Sequence, residues 1–381
     1  MNFDDLEFIK ISSKLNNKYI DNWKKDGKEV YGYYCTYIPE EIIHSMDVLP
    51  YRIRATGCDD TALADSILSH FNCSFVRCSL NLAMEDKYDF LDGAVFSNSC
   101  DHIRRLYDIW KRKIIKKDDK FDLYFLSIPH KLSEPGHKWL KDEYSIFIKD
   151  LEKKLKRKYD EEKLKESIEV HNQNRKLLKE IQELRTIKEP KLNGYDFARI
   201  LLSNSSIPKE ISNEKLEEVI GILKDREGLK DYKARFMLVG SYVDNPEFYS
   251  IFEEIGGIIV SDMLCFGMRS FWDEVEITDD PLDDIVKRYY NKISCPRMMN
   301  MHKQRLQFIE DQVKSANVEG VVLERMEFCD LHGCDNMLLQ HELEELGIPV
   351  LSIDREYLMS DVARFKTRAE AFVEQIMVSL V

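Results

Sequence analysis

The residues of this chain with the greatest chemical potential are its cysteines, of which the sequence has nine. Cys35, Cys100, Cys265 and Cys329 follow segments that the hydrophobic pattern predicts to be strands, and Cys73 directly precedes a predicted helix. Binding sites in parallel sheets form beyond the carboxyl ends of the strands. Thiolates are the preferred ligands of soft metals and hold iron–sulfur clusters. The placement therefore leaves two interpretations, a thiolate metal site and a set of buried or incidental thiols.

The spacing of the cysteines excludes the compact metal motifs. No C-x-x-C occurs, so neither a zinc-ribbon nor a ferredoxin pattern is present, and metal ligands would come from distant parts of the chain. Cys73 and Cys100 each precede a predicted helix, whose N-terminal dipole lowers the pKa of a thiol, so both are predisposed to be thiolates. The other cysteines are predicted to be small buried hydrophobic residues. They are Cys58, Cys78, Cys295 and Cys334.

Three further kinds of residue are candidates for catalysis or binding. His102 follows Cys100 and could orient a substrate or donate a proton, or it could simply bond to the backbone at a helix start. Glu41, beside Glu40, could supply a base near the metal, although acidic residues are also common in the first turn of any helix. A set of arginines is suited either to the phosphate groups of a ligand or to surface ion pairs. They are Arg77, Arg104 and Arg105.

The elements that must position these residues alternate between strands and helices, which predicts an α/β fold with parallel sheets. The predicted strands are Val30–Tyr34, Phe90–Ser97, Leu123–Ile128, Ala234–Val239, Gly257–Ser261, Gly320–Leu323 and Pro349–Ile353. The predicted helices include Glu40–Met46, Asp59–His70, Phe75–Met84, Asp101–Lys113, Pro246–Ile255, Cys334–Leu346 and Thr367–Ser379. Leucines and isoleucines at helical intervals in a Lys/Glu background predict a separate helical region in between.

We therefore predict two Rossmann-like lobes with an intervening helical module. The first lobe is residues 1–138 with Cys73 and Cys100, the module is residues 139–230, and the second lobe is residues 231–381 with Cys329.

Composition and motifs exclude several classes of function. The net charge of −13 argues against nucleic acid as the main partner. No G-x-G-x-x-G or Walker loop follows a predicted strand, so neither dinucleotide binding nor ATP hydrolysis is predicted. The segment Met1–Ile11 has no signal-peptide pattern and no apolar stretch reaches membrane length, so we expect a soluble cytoplasmic protein. In that reducing compartment the cysteines are not expected to form disulfides.

A series of short motifs in a fixed order runs through nearly the whole chain. They are Tyr34-Cys-Thr-Tyr-Ile-Pro-Glu-Glu41, Leu49-Pro-Tyr-Arg-Ile-Arg54, Asn72-Cys-Ser-Phe-Val-Arg77, Tyr88-Asp-Phe-Leu-Asp-Gly93, Asn98-Ser-Cys-Asp-His-Ile-Arg-Arg105, Asp262-Met-Leu-Cys-Phe-Gly267, Asp280-Pro-Leu282, Glu319-Gly-Val-Val-Leu323, Phe328-Cys-Asp330, Gly347-Ile-Pro349 and Ser360-Asp-Val362. With these motifs the chain resembles the subunits of 2-hydroxyacyl-CoA dehydratases and benzoyl-CoA reductases.

The resemblance implies a two-lobed subunit with one oxygen-sensitive 4Fe–4S cluster in the cleft between the lobes. By local motif its three cysteine ligands fall on Cys73, Cys100 and Cys329. Three thiolates leave one iron open, which is typical of a catalytic metal. Members of the family pair with an identical or paralogous subunit and receive an electron from an ATP-dependent iron–sulfur activator. The electron makes a ketyl-type radical on a CoA thioester, which permits dehydration or reduction of an aromatic ring.

The resemblance leaves two alternatives to that function. Some relatives, the double-cubane cluster proteins, hold an eight-iron cluster and reduce small molecules without CoA, and Cys35 and Cys265 stand where they have cysteines. The stretch Lys87–Phe90, where a sixth ligand is expected, has no cysteine, so Cys35 and Cys265 are either secondary ligand candidates or residues that line a pocket. The other alternative is an accessory electron-transfer subunit without its own substrate.

Overall fold

Two four-stranded parallel sheets form the framework of the chain. The computed structural model describes residues 3–115 and 121–379; the start of the Met1–Ile11 segment and the last residues of the predicted second lobe lie outside them. The strands are β1 Val30–Tyr33, β2 Leu49–Arg52, β3 Gly93–Ser97, β4 Asp122–Leu126, β5 Ala234–Val239, β6 Gly257–Met263, β7 Gly320–Met326 and β8 Val350–Arg355. Their orders are β2-β1-β3-β4 and β6-β5-β7-β8. The predicted α/β class with two Rossmann-like lobes is confirmed.

Helices surround both sheets and connect their strands. They are α1 Glu7–Lys10, α2 Lys18–Lys25, α3 Glu40–Ser45, α4 Ala62–Asp65, α5 Ser74–Met84, α6 Asp101–Ile109, α7 Glu134–Leu155, α8 Glu161–Thr186, α9 Gly194–Asn204, α10 Lys209–Asp225, α11 Glu247–Glu253, α12 Met268–Phe271, α13 Pro281–Asn291, α14 His302–Ser315, α15 Asp330–Glu345 and α16 Val362–Ser379. Within the described residues, no helix combines the length and the apolar composition that a membrane crossing requires.

Each sheet is covered on both faces, which explains why the inner strands β1, β3 and β5 are buried at every position instead of alternating. In the first sheet, Ala94 and Phe96 pack toward α5 and α6, whereas Val95 packs toward α3 and α7. In the second sheet, Phe236 packs with α11 and α16, whereas Met237 packs with α14 and α15. This double coverage excludes water from the sheets and leaves their carboxyl ends as the accessible edges.

The helices α7–α10 lie between the two lobes in the chain order. Tyr144 and Phe147 of α7 pack against the first sheet, and Leu177 of α8 shares a core with Leu216 of α10. Phe8 of α1 belongs to the same core as α8 and α10. The division of the chain at residues 138 and 230 stays a prediction.

Two elements differ from the sequence-based expectation for local physical reasons. The edge strand β2 was not predicted because it contains Pro50, but an edge strand tolerates a residue without an N–H group. The predicted helix Asp59–His70 shrinks to α4. There the Asn81 side chain accepts bonds from the N–H groups of Leu63 and Ala64 at 3.0 and 3.3 Å, and Ser66 donates to the Leu63 carbonyl at 2.6 Å. Such side-chain bonds compete with a longer helix.

Contacts between the two lobes fix the cleft between their sheets. The Asp244 carboxylate accepts a bond of 2.8 Å from the N–H group of Ala55, and the Tyr242 hydroxyl donates to the Ile53 carbonyl. The ring of Phe75 stacks on that of Tyr242 with centroids 3.8 Å apart. All of these groups are buried, so the lobes are held together by both polar and apolar contacts.

A buried ion pair stabilises the second lobe beside the cleft. Glu324 on β7 lies 2.8 Å from Arg355 on β8 and accepts a bond of 2.8 Å from the N–H group of Ser241. We predict that Glu324→Ala lowers the free energy of unfolding by about 3–5 kcal/mol, because it leaves the Arg355 charge buried and unpaired. Urea denaturation at neutral pH measures the effect.

The neighbouring residue on the same strand supplies the control. Arg325 pairs with Asp354 at 2.5 Å where both side chains reach solvent, so Arg325→Ala is expected to cost about 1 kcal/mol or less. Equal losses for the two variants contradict a special role for the buried pair.

Candidate functional site

A cavity of about 120 Å³ lies between the two lobes at the carboxyl ends of β1, β3, β5 and β7. In each lobe the first strand lies beside the third, and the connections leave in opposite directions there, which is where parallel sheets form binding crevices. Six of the nine cysteines line the cavity. They are Cys35, Cys73, Cys100, Cys265, Cys295 and Cys329.

Cys73, Cys100 and Cys329 occupy the same local position in three different helices. Each is the N-cap residue, of α5, α6 and α15 respectively, so three helix N-termini converge on the cavity. A helix N-terminus carries free N–H groups and the positive end of the helix dipole, both of which favour negative charge. The structure thus brings together the three cysteines that the sequence analysis selected, from both lobes. We call them the first cysteine set.

The turn into Cys329 is conformationally unusual. The preceding residue, Phe328, has a φ of 65°, in the left-handed region that non-glycine residues rarely adopt. Its ring contacts Phe71 of the first lobe edge to face, with centroids 5.7 Å apart. This aromatic contact lies next to Cys329 and two residues before Cys73, and it bridges the lobes at the rim of the cavity. Strain of this kind is typical of functional turns.

Burial, and not the helix dipole, sets the protonation of the first cysteine set in the metal-free chain. Burial raises the pKa of Cys73 to about 11, although N–H groups of α5 lower it in part. Burial and the neighbouring Cys73 thiol raise the pKa of Cys100 to about 12. The pKa of Cys329 is raised well above its ordinary value by burial and by both other thiols. The helix N–H groups lower the pKa values of Cys73 and Cys100, as their position before a helix predicts, but desolvation outweighs this effect in the metal-free chain.

Cys35, Cys265 and Cys295 line the same cavity and form a second cysteine set. Cys35 follows β1, Cys265 follows β6, and Cys295 lies in the connection between α13 and α14. Cys295 was expected to be a buried core residue, but it is half-buried and lines the cavity. Its sequence context, Ser294-Cys-Pro-Arg297, is a turn signal that could have placed it outside the core. Sequence reasoning also missed Arg52, which lines the cavity as well.

His102 bonds to the backbone, which was one of the two roles predicted for it. Its Nδ1 atom accepts a bond of 3.2 Å from the N–H group of Cys73, so it ties the start of α6 to the turn before α5. Burial lowers the pKa of His102, which favours the neutral ring that this bond requires. The residue also lines an outer cavity of about 650 Å³ together with Arg105 and Asp330.

Glu41 lies outside both of these cavities. It is fully buried, and its carboxylate accepts bonds from Arg175 and, at 2.8 Å, from Tyr289. Burial would raise the pKa of Glu41, but Arg175 and His171 lower it below the ordinary value. These contacts hold α3 against α8 and α13 and provide no route to the cysteines.

Two of the three arginine candidates form ion pairs with acidic side chains. Arg77 is buried and pairs with Asp65 and Glu356 at 3.2 and 3.1 Å, and Arg104 pairs with Asp101 at 3.4 Å. These contacts match the ion-pair interpretation.

The donor set of the cavity fits an iron–sulfur cluster better than a single ion. Among the described residues, no three His, Cys, Asp or Glu side chains lie close enough together to hold one metal ion. In an iron–sulfur cluster each thiolate binds a different iron atom, so the ligands need not meet at one point. None of the residues that line the described cavity is Asp or Glu, and sulfur is its dominant donor. Such a donor set selects soft metals and iron–sulfur clusters.

Comparison with known proteins gives a consistent set of relatives. The family described as 2-hydroxyglutaryl-CoA dehydratase, D-component, matches residues 35–376. The chain is 24% identical over 380 residues to the (R)-phenyllactyl-CoA dehydratase beta subunit of Clostridium sporogenes, covering 98% of each chain. It is 24% identical to one of the benzoyl-CoA reductase subunits of Thauera aromatica, covering 93% of each chain. It is 22% identical to the beta subunit of (R)-2-hydroxyglutaryl-CoA dehydratase of Acidaminococcus fermentans, covering 97% of this chain and 98% of the relative.

The raised thiol pKa values predict slow alkylation of the metal-free protein. Below its pKa the thiolate fraction of a cysteine rises about tenfold per pH unit, and the thiolate is the reactive form. We expect labelling of Cys73 and Cys100 by iodoacetamide to rise about a hundredfold from pH 7.5 to pH 9.5, because both pKa values, about 11 and about 12, lie above this range. Peptide mass spectrometry measures the rates. A plateau by pH 9 in protein that circular dichroism shows to be folded contradicts the prediction.

Proposed function

The chain belongs to the family of the 2-hydroxyglutaryl-CoA dehydratase D-component, and from this premise we propose that it is the iron–sulfur subunit of an enzyme that dehydrates a 2-hydroxyacyl-CoA or reduces a benzoyl-CoA-type thioester. The observation that carries the proposal is the meeting of Cys73, Cys100 and Cys329 at one cavity, each at a helix N-terminus. A 4Fe–4S cluster bound there supplies low-potential one-electron reduction.

Different residues of the chain have different roles around such a cluster. The three thiols of the first cysteine set would hold the cluster, and the N–H groups at the starts of α5, α6 and α15, which contact these thiols, would stabilise its negative charge. The stacked rings of Phe75 and Tyr242 form an apolar wall that excludes water. Such a cluster would supply a low-potential electron to the thioester carbonyl. That electron would permit an otherwise unactivated hydroxyl group to leave as water together with a substrate proton, and it would be returned when the unsaturated product forms.

The proposal includes partners and a compartment. The relatives are each named as one subunit of a larger enzyme, which supports a dimer with a paralogous or identical subunit. An ATP-dependent iron–sulfur activator is the proposed electron donor, and an acyl-CoA the proposed substrate. The cytoplasm is the proposed location, because a reducing compartment keeps free thiols available for a cluster.

A second candidate function is a double-cubane reductase of small molecules with an eight-iron cluster. The second cysteine set favours it, since Cys35, Cys265 and Cys295 line the same cavity as the first set. The sixth cysteine is not in the stretch Lys87–Phe90, where it was expected. Cys295 supplies it from the connection between α13 and α14.

Iron and sulfide analysis of anaerobically purified protein separates the two candidates. The single-cubane enzyme is expected to hold about four irons per chain, and the double-cubane protein about eight. Serine substitutions in the first set are expected to remove iron in both cases. Serine substitutions in the second set are expected to leave iron unchanged in the first case and to lower it from about eight to about four in the second. The variants are Cys73→Ser, Cys100→Ser, Cys329→Ser, Cys35→Ser, Cys265→Ser and Cys295→Ser.

The control is Cys334→Ser, because Cys334 is exposed and does not line the cavity. Its iron content is expected to equal that of the wild type. Undiminished iron in all three variants of the first set rules out the proposed ligands.

The substrate class has its own test. A 2-hydroxyacyl-CoA or benzoyl-CoA is expected to change the electron paramagnetic resonance spectrum of the reduced protein, because the open iron corner faces the substrate. The matched free acids, which lack CoA, serve as controls. A spectrum that no CoA thioester changes argues for the small-molecule reductase or for an accessory electron-transfer subunit.

A further inference from the structure

The second cysteine set is surrounded by buried positive charge. Arg52, Arg269 and Lys292 are 4%, 2% and 2% exposed, and each acts electrostatically on thiols of the second set. Arg269 Nη2 lies 3.2 Å from Cys265 Sγ. Burying a cation costs several kcal/mol unless a counter-charge or hydrogen bonds compensate it. The source of that compensation therefore decides what this part of the cavity can hold.

Arg52 has the weakest compensation of the three cations. Its guanidinium carbon lies 5.3 Å from the ring centre of Tyr33, 5.5 Å from that of Tyr242 and 5.2 Å from that of Phe266, and the residue lines the cavity. Its buried Nε has no hydrogen-bond partner in the described part of the chain. Aromatic faces stabilise a buried cation less than an ionic partner does. Arg52 thus points an incompletely satisfied positive charge at the cavity.

Among the described residues, Arg269 and Lys292 bond to backbone carbonyls and form no ion pair with a carboxylate. Burial lowers the pKa of Lys292 well below its ordinary value, so the firm charge of the two is that of Arg269. Arg269 donates to the Gly240 carbonyl at 2.7 Å, whereas its Nε and Nη1 atoms have no partner among the described residues. Lys292 donates to the Arg269 carbonyl at 3.2 Å and lies 4.8 Å from the ring centre of Tyr37. The carboxylate that influences Arg269 is Asp262, which is already paired with Arg185 at 2.7 Å. The remaining groups near these cations that can become anions are tyrosine hydroxyls and the thiols of the second set.

The first cysteine set has a different environment. Its nearby cation, Arg77, is already neutralised by Asp65 and Glu356. Three helix N-termini supply the positive potential there, and each is worth about half an elementary charge. The two halves of the cavity therefore compensate negative charge by different means, dipoles at the first set and full charges at the second.

We propose that Arg52 and Arg269 form a cationic wall that stabilises an anionic, thiolate-bound iron–sulfur cubane on Cys35, Cys265 and Cys295, and that this wall makes the second half of the cluster easier to reduce than the first. Reduction adds negative charge, so nearby uncompensated cations raise the reduction potential. An electron that enters the cluster then resides on the second half. The inference rests on the second candidate function.

The test is a redox titration of anaerobic protein, monitored by electron paramagnetic resonance at constant pH. In Arg52→Met, the higher of the two reduction potentials is expected to fall by at least about 59 mV, which is a tenfold change in the equilibrium constant of a one-electron reduction. The lower potential is expected to move less. Arg52→Lys keeps the charge and is expected to stay close to the wild type. Arg235→Met is the control. Arg235 is buried near the amino-terminal end of β5, opposite to the end that faces the cavity, and it donates to the Ala316 carbonyl.

Each outcome bears on the inference. A fall in Arg52→Met but not in Arg52→Lys supports it, and so does loss of about four irons in Arg52→Met alone, because the charge is then needed for binding. Eight irons with unchanged potentials overturn the cationic wall and leave the second candidate function intact. Iron loss in both Arg52 variants also overturns it, since shape and not charge then matters. About four irons in the wild type remove the second candidate and the inference together.

Discussion

The cavity depends on one constraint, which is the balance of negative and positive charge in a space without water. Six thiols and several cationic side chains share a space from which two sheets and their covering helices exclude water. In such a place a lone thiolate and a lone cation are both unfavourable. The proposed cluster would remove both penalties at once, since its iron would hold the thiolates and its negative charge would neutralise the cations. The raised pKa values of Cys73 and Cys100 are the same constraint seen in the metal-free chain.

The repeated sheet topology explains why the ligands come from distant parts of the chain. Both lobes have the first strand beside the third, and in both the third strand leads through a short turn to a cysteine and a helix. Cys100 and Cys329 are therefore equivalent in the two lobes. Cys73 adds a third ligand from a helix that packs directly on the opposite lobe through Phe75. A site divided between two lobes holds its geometry because Asp244 and Tyr242 tie the lobes together.

The local sequence pattern predicted the strands that are buried on both faces, because a continuous apolar run between short turns is compatible with few other structures. It failed where a single side chain decided the outcome. The edge strand β2 contains Pro50 and was not predicted. The predicted helix Asp59–His70 is shorter in the structure, where the side-chain oxygen of Asn81 accepts bonds from the N–H groups of Leu63 and Ala64. Such effects depend on a partner elsewhere in the chain or on a position within a sheet, which the local pattern does not contain.

For the site, the sequence by itself determined which cysteines follow strands or begin helices, and its ordered motifs indicated the family. Cys73, Cys100 and Cys329 could be selected in this way because their roles depend on local structure. The tertiary structure decided the rest, since Cys295 reaches the cavity through the connection between α13 and α14 and Arg269 of α12 contacts Cys265, which no local signal encodes. It also decided protonation: a helix dipole can be recognised from sequence, but the desolvation that outweighs it exists only once both lobes close around the thiols.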